Sequence, residues 1–146
     1  MNSALDEVGG FPSVLLGEDT CVVARLLRKG HKIAYVAEAL VKHSHRYSLL
    51  EEFRRSFDTG LARKEYGSLL ECEGSDVQRG FGYFKEMSKQ LLKDKPYLLP
   101  YAFSHTLAKW LGYKIGRTSE RAPIWLKKKL SSQDFYWSSN DFLAKE

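Results

Sequence analysis

The sequence predicts an α+β chain that is mainly helical, with one short β element near the front and a basic helical tail. Three observations predict it. Apolar residues recur at helical spacing over several long stretches. Caps and glycines punctuate those stretches where helices should begin and end. Only residues 32–43 have the β-branched and aromatic density of strands.

Taken in order, Ser3 can cap a short helix over Ala4–Val8, which Gly9-Gly10 ends because glycine tolerates the left-handed turn. Phe11-Pro12 then leaves in an extended direction. Gly17 precedes a helix from Glu18 to about Lys29, acidic at its start and basic at its end, as the helix dipole favours. Val22, Val23, Leu26 and Leu27 are its apolar residues, and Gly30 stops it. Lys32–Val36 and Ala39–His43 are expected to be two short strands joined by Ala37-Glu38.

Ser48-Leu49-Leu50-Glu51 is a capping box. The helix it opens carries Leu49, Phe53, Phe57 and Leu61 as an apolar stripe and should fade near Gly67. Residues 68–75 read as a loop and as the internal boundary, dividing the chain into 1–67 and 68–146. A further helix runs from about Asp76 to Lys93. Pro96 fits the first turn of the next one, the most apolar stretch, with Leu98, Leu99, Ala102, Phe103, Leu107, Trp110 and Leu111. Pro100, His105 and Lys109 interrupt it, so it should not span a bilayer. A last short helix starts near Pro123 and carries Lys127-Lys128-Lys129.

The chain has 146 residues, enough for one domain with a real core. At 43% hydrophobic and 28% charged residues it is neither disordered nor membrane-spanning in composition. Its two cysteines, Cys21 and Cys72, lack metal or disulfide-framework spacing, which suits a reducing cytosol. Met1-Asn2-Ser3 leads into an acidic turn, so no secretory signal is expected. The net charge of +5 is unevenly placed. Residues 1–74 hold 10 Lys/Arg against 11 Asp/Glu, while 75–130 hold 12 against 4. That asymmetry points to an anionic partner for the second half, a lipid surface or nucleic acid, or to a solvated basic face.

Several groups can carry chemistry, and each has a plainer reading. Glu18 and Asp19 suit a helix N-terminus for electrostatic reasons alone; the catalytic reading makes one of them a general base. His43 and His45, two apart on a strand, can face one side. As metal ligands they need further partners, and the chain contains no Asp-x-Asp. Arg54 and Arg55 can grip a phosphate bidentately or form the solvated face of their helix. His31 reads as surface and His105 as a packing histidine.

Together, Gly9-Gly10-Phe11, Gly17-Glu18-Asp19, Arg25-Leu26, Gly30, Ala34-Tyr35, Ala39 and His43-Ser44-His45-x-Tyr47 resemble the C-terminal half of a family-two, GT-A fold glycosyltransferase. The likeness is to bacterial rhamnosyltransferase-like enzymes of surface polysaccharide assembly, over about residues 3–66. Residues 1–67 would then be the acceptor-side part of the catalytic domain, and 68–146 a basic helical extension. The resemblance implies Asp19 as the base that activates an acceptor hydroxyl, with Glu18 its neighbour. It implies His43, then His45, as the histidine completing a divalent-cation shell (Mg²⁺ or Mn²⁺), and Gly9, Gly10 and Phe11 as the floor of the site. A nucleotide sugar would be the donor, and a lipid-linked or other saccharide the acceptor.

The family's first half, with its nucleotide-binding sheet and Asp-x-Asp, has no counterpart here. The chain alone is therefore expected to be inactive. It is also expected to expose an apolar face on Leu5, Val22 and Leu26 that drives homo-oligomerisation. Gln-x-x-Arg-Trp is missing after His45, which favours single-sugar addition. Trp110, Tyr113, Trp125, Tyr136 and Trp137, interleaved with lysines, resemble a surface for an anionic cytoplasmic leaflet, or else an inter-helix core. The reading from another class is a basic helical module for nucleic acid or another anionic surface. A third is an inactive chain that serves only as an interaction surface.

Overall fold

A computed structural model of the chain describes residues 3–42, 46–67 and 76–143, except for the side chains of residues 76–79 and 141. It is helical: α1 (Ser3–Glu7), α2 (Glu18–Arg28), α3 (Leu49–Glu65), α4 (Asp76–Asp94), α5 (Leu99–Thr118), α6 (Ile124–Leu130) and α7 (Asn140–Leu143). Single 3-10 turns, Pro96–Leu98 and Tyr136–Ser138, introduce α5 and α7.

The helix ends obey the chemistry of their caps. Gly9 and Gly10 take φ of 78° and 72°, and the Gly10 N–H donates to the Leu5 carbonyl at 3.0 Å. Gly30, at φ 88°, closes α2 as a Schellman turn: the His31 N–H donates to the Leu26 carbonyl and the Gly30 N–H to that of Leu27. At α3 the capping box forms in full. The Ser48 N–H donates to Glu51 Oε2 at 2.7 Å, and the Glu51 N–H donates to Ser48 Oγ at 3.3 Å. The Ser48 amide and hydroxyl hold the Glu51 carboxyl below the usual range.

The two expected strands do not form. Residues 32–36 and 39–42 are irregular and exposed, and the described hydrogen bonds within the run belong to its turn. Strand composition is not enough, because a ladder needs a partner, and the described residues contain no strand to supply one. His43 and the boundary at 68–75 lie outside the described residues.

The scaffold is the pairing of α3 with α5. Gly60 on α3, and Gly112 and Gly116 on α5, are buried where the two backbones touch. A Cβ at Gly116 would come nearer than 3.0 Å to the Phe57 carbonyl; one at Gly112 would collide with that of Phe53, and one at Gly60 with that of Tyr113. Glycine is required there by proximity, not by φ. At one end of the crossing, the Glu52 carboxylate of α3 takes Lys109 Nζ at 3.3 Å and lies 3.9 Å from His105 Nδ1.

The chain after α5 folds back onto α3. Phe57 and Leu61 pack with Leu15, Tyr136 and Trp137, and Ile124, Leu130 and Phe142 close the cluster. Tyr136, Trp137 and Phe142 meet with ring centroids 5.2–5.6 Å apart. The core therefore draws on residues from both ends of the sequence. Val22 is buried at 6% exposure, and Leu5 and Leu26 are half-buried, so the expected open apolar face on these three is largely covered.

The glycine crossing makes a prediction of opposite signs. Gly116→Ala should lower stability by roughly 1–3 kcal/mol through overpacking. Gly82→Ala, on α4 with nothing within 4 Å, should raise it by about 0.5–1 kcal/mol through helix propensity. Urea unfolding of both variants decides; equal effects of the two would contradict the crossing.

Candidate functional site

The candidate residues that the structure describes lie just after α1, in the first turn of α2 and on α3. Asp19 and Glu18 occupy the first turn of α2 and are exposed. Asp19 Oδ1 accepts from the Thr20 N–H at 2.7 Å and from Thr20 Oγ1 at 3.2 Å. Gly17, at φ 84°, has no side chain to cap the helix, so this carboxylate fills that electrostatic role at the N-terminus. Its other oxygen remains available to a proton donor from solvent or a bound molecule.

Behind that turn α2 is anchored by burial. Cys21 is 1% exposed, and burial pushes its thiol up, with the nearby Arg25 guanidinium opposing. Such a thiol packs rather than reacts. Glu65 and Tyr66, at the end of α3, are close enough to act electrostatically on Cys21. Tyr66 donates its hydroxyl to Glu65 at 2.8 Å; burial, then that bond, raises its pKa.

Gly9, Gly10 and Phe11 come directly after α1, and α1 is clipped to the opposite end of α2. Glu7 receives Lys29 Nζ at 3.5 Å and His31 Nε2 at 3.1 Å, and Arg25 Nη1 donates to the Val8 carbonyl at 3.3 Å. The His31 contact is the main reason that the Glu7 carboxyl lies below the usual range. Along the helix axis, the Arg25 and Lys29 contacts of the clip lie about 9 and 15 Å from Asp19. Phe11 is 61% exposed.

Arg54 and Arg55 diverge on α3. Arg55 donates to the Tyr47 hydroxyl at 3.1 Å, with its guanidinium 5.3 Å from the centre of that ring. Arg54 is half-buried, and its Nε is enclosed without a hydrogen-bond partner. They do not form a paired phosphate fork on one open face. His43 and His45 lie outside the described residues. Among the described residues, no group of three or more His, Cys, Asp or Glu stands where it could hold a metal.

The aromatic tail residues divide. Tyr136 and Trp137 are core, at 6% and 5% exposure, whereas Trp110 and Trp125 are exposed at 50% and 66%. Tyr113 is half-buried beneath Arg117. A cleft of about 270 Å³ opens beside the core, lined by Leu61, Glu65, Glu120, Lys127, Tyr136, Trp137 and Phe142. None of Gly9, Gly10, Phe11, Glu18, Asp19, Arg54 and Arg55 lines it. No helix among the described residues is long and apolar enough to cross a membrane.

Over 138 residues, 94% of the chain, the sequence is 37% identical to the O-antigen chain rhamnosyltransferase RfbN of Salmonella typhimurium. Over the same extent it is 38% identical to the O-antigen chain rhamnosyltransferase WbaN of Salmonella anatum. The likeness extends over nearly the whole chain. The chain spans 44% of the length of each of these relatives. No family model matches it, and no solved structure matches it.

The chain also buries a carboxylate that the apolar pattern of α3 conceals. Asp58 is fully enclosed, and its Oδ2 accepts from the Ser132 N–H at 2.8 Å and from Ser132 Oγ at 2.5 Å. Its Oδ1 is buried without a well-formed hydrogen bond. The Ser131 hydroxyl beside it already accepts from the Gln133 N–H. Burial raises the Asp58 pKa, and the Ser131 and Ser132 hydroxyls and the Ser132 amide partly oppose that. The signal in the sequence is an acid flanked by Phe57, Gly60 and Leu61.

The sign of the shift fixes a pH dependence. With its folded-state pKa above the ordinary 3.8, Asp58 stabilises the fold most when protonated. That contribution falls as pH rises from 3.8 through the folded pKa, by at most about 1.4 kcal/mol per pH unit. Measured against Asp58→Asn, which removes this titration and leaves the others, the unfolding free energy of the parent should decline with pH across that window. A rise there would mean that Asp58 is held ionised.

Proposed function

We propose that the chain is the acceptor-side, C-terminal part of an inverting, family-two, GT-A type glycosyltransferase of surface-polysaccharide assembly. The observation that carries this is the identity over 94% of the chain to O-antigen chain rhamnosyltransferases, which it spans for 44% of their length. The exposed carboxylate of Asp19 at the start of α2 supports it, since an acceptor hydroxyl can reach it.

In the complete enzyme an acceptor hydroxyl attacks the anomeric carbon of a nucleotide-activated sugar, a rhamnosyl donor by analogy with the relatives. The new C–O bond forms as the bond to the nucleoside diphosphate breaks. The hydroxyl proton passes to Asp19, with Glu18 adding negative charge beside it. Direct displacement inverts the centre, so one base suffices. Gly9, Gly10 and Phe11 shape the floor, and Arg54 and Arg55 lie on the neighbouring helix. A divalent cation, Mg²⁺ or Mn²⁺, would neutralise the departing diphosphate, with His43 or His45 as its candidate ligand from this chain.

The nucleotide-binding part is read as lying in the portion of the relatives outside the match. The site on this chain is then one wall of a cleft, and the chain alone is inactive. The basic helices α4–α6, with exposed Trp110 and Trp125, suit docking on the anionic cytoplasmic face of the inner membrane, where a lipid-linked acceptor would be presented.

Two experiments test these readings. The isolated chain should show no turnover with a panel of nucleotide sugars. A chimera joining it to the unmatched portion of RfbN should transfer sugar, and Asp19→Asn should cost that chimera about 10²–10⁴ in kcat. Turnover by the chain alone, or an unimpaired Asp19→Asn chimera, would refute the assignment. In vesicle co-sedimentation, binding should grow with anionic lipid content and weaken in the Trp110→Ala, Trp125→Ala double variant; indifference to both would remove the membrane reading.

A further inference from the structure

The cleft beside the core belongs to none of the chemistry assigned so far. Its lining combines two acids, Glu65 and Glu120, with the Lys127 ammonium and the rings of Tyr136, Trp137 and Phe142. Among the described residues Lys127 pairs with neither acid. Its Nζ instead donates to the Glu120 backbone carbonyl at 2.7 Å and lies 5.6 Å from the centre of the Trp137 ring. Glu65 accepts from the Tyr66 hydroxyl on Oε1. Both carboxylates therefore keep acceptor capacity at the cleft. Trp137 is buried, and its indole N–H is enclosed without a hydrogen-bond partner. Such orphan donors are uncommon in a folded chain.

We infer that this cleft binds one neutral sugar ring, at a site separate from the one proposed at Asp19. Charge sets the other ligand classes aside. An anionic ligand would meet two carboxylates against one ammonium. A cationic ligand would have to displace Lys127 from the indole face that this ammonium already occupies. A neutral polyol satisfies the whole lining. Its hydroxyls donate to Glu65 and Glu120 and accept from Lys127, as charge-assisted hydrogen bonds. Its C–H groups meet Trp137 and Phe142, and a methyl substituent in place of a hydroxymethyl suits that apolar side best. The volume of about 270 Å³ lies at the lower edge of small-molecule pockets, which run to about 300–1,000 Å³, so a single ring fits and an oligosaccharide or nucleotide does not. The inference stands on the lining of the cleft and needs neither Asp19 nor turnover.

The test is titration of the chain with methyl α-L-rhamnopyranoside, followed by NMR at the Trp137 indole N–H, which Trp137→Phe assigns. The resonance should shift saturably, with Kd of about 1–10 mM as befits so small a ligand. Glu120→Ala, at an exposed position, should weaken binding about ten-fold through loss of a charged acceptor. Glucose 1-phosphate and tetramethylammonium should each bind at least about ten-fold more weakly than the methyl glycoside. A titration that does not saturate by about 100 mM would overturn the inference. Unchanged affinity in Glu120→Ala, or preference for either charged probe, would overturn it too. Asp19→Asn separates this site from the proposed catalytic one: affinity for the glycoside should be the same in that variant. A loss of affinity there would seat the sugar at α2 and overturn the inference, while leaving the reading of Asp19 intact. A chimera that fails to transfer sugar, built on a chain that binds the glycoside, would refute the enzymatic reading and leave this one standing.

Discussion

Everything rigid in this chain depends on how closely α3 and α5 approach. Gly60, Gly112 and Gly116 bring backbone against backbone, so that each helix fills the gap a side chain would need. Mid-helix glycine ordinarily weakens a helix by up to about 1 kcal/mol, so three at one crossing are a cost accepted for that contact. The contact also directs the packing around it. With one side of α3 sealed against α5, its remaining apolar positions, Phe57 and Leu61, turn to the returning tail and take up Tyr136 and Trp137. Asp58 then fastens the tail through Ser132.

The N-terminal elements are attached differently. Leu15, Cys21 and Val22 supply burial, while α1 is held to α2 by exposed polar contacts centred on Glu7. Surface contacts of that kind are weak. The candidate catalytic residues therefore stand on the rim of the molecule, on an element anchored along one side only.

Much of the helical architecture is legible in the sequence because caps and periodicity are local. Ser48 and Glu51, Gly30, and the four-residue spacing of Leu49, Phe53, Phe57 and Leu61 each depend on neighbours within a turn or two. The features that stay hidden are non-local. Gly112 and Gly116 look like weak points in an apolar helix, since nothing near them in sequence says that α3 will arrive. Asp58 looks like one more surface charge on an amphipathic helix. Residues 32–42 have the composition of strands, but pairing is a property of two segments. Of the five tail aromatics, Tyr136 and Trp137 are core while Trp110 and Trp125 are open, a division that only tertiary packing decides. At the candidate site, the carboxylate pair at a helix start is readable, and its solvent-facing placement is not.

Asp19 is, on this reading, the one residue of the chain that touches the reacting atoms. The most direct measurement is a structure of the chain joined to the remainder of a relative and bound to an acceptor saccharide. A saccharide hydroxyl within about 2.6–3.2 Å of the Asp19 carboxylate is the predicted result. A saccharide seated away from the start of α2, with Asp19 engaged only by Thr20, would contradict it.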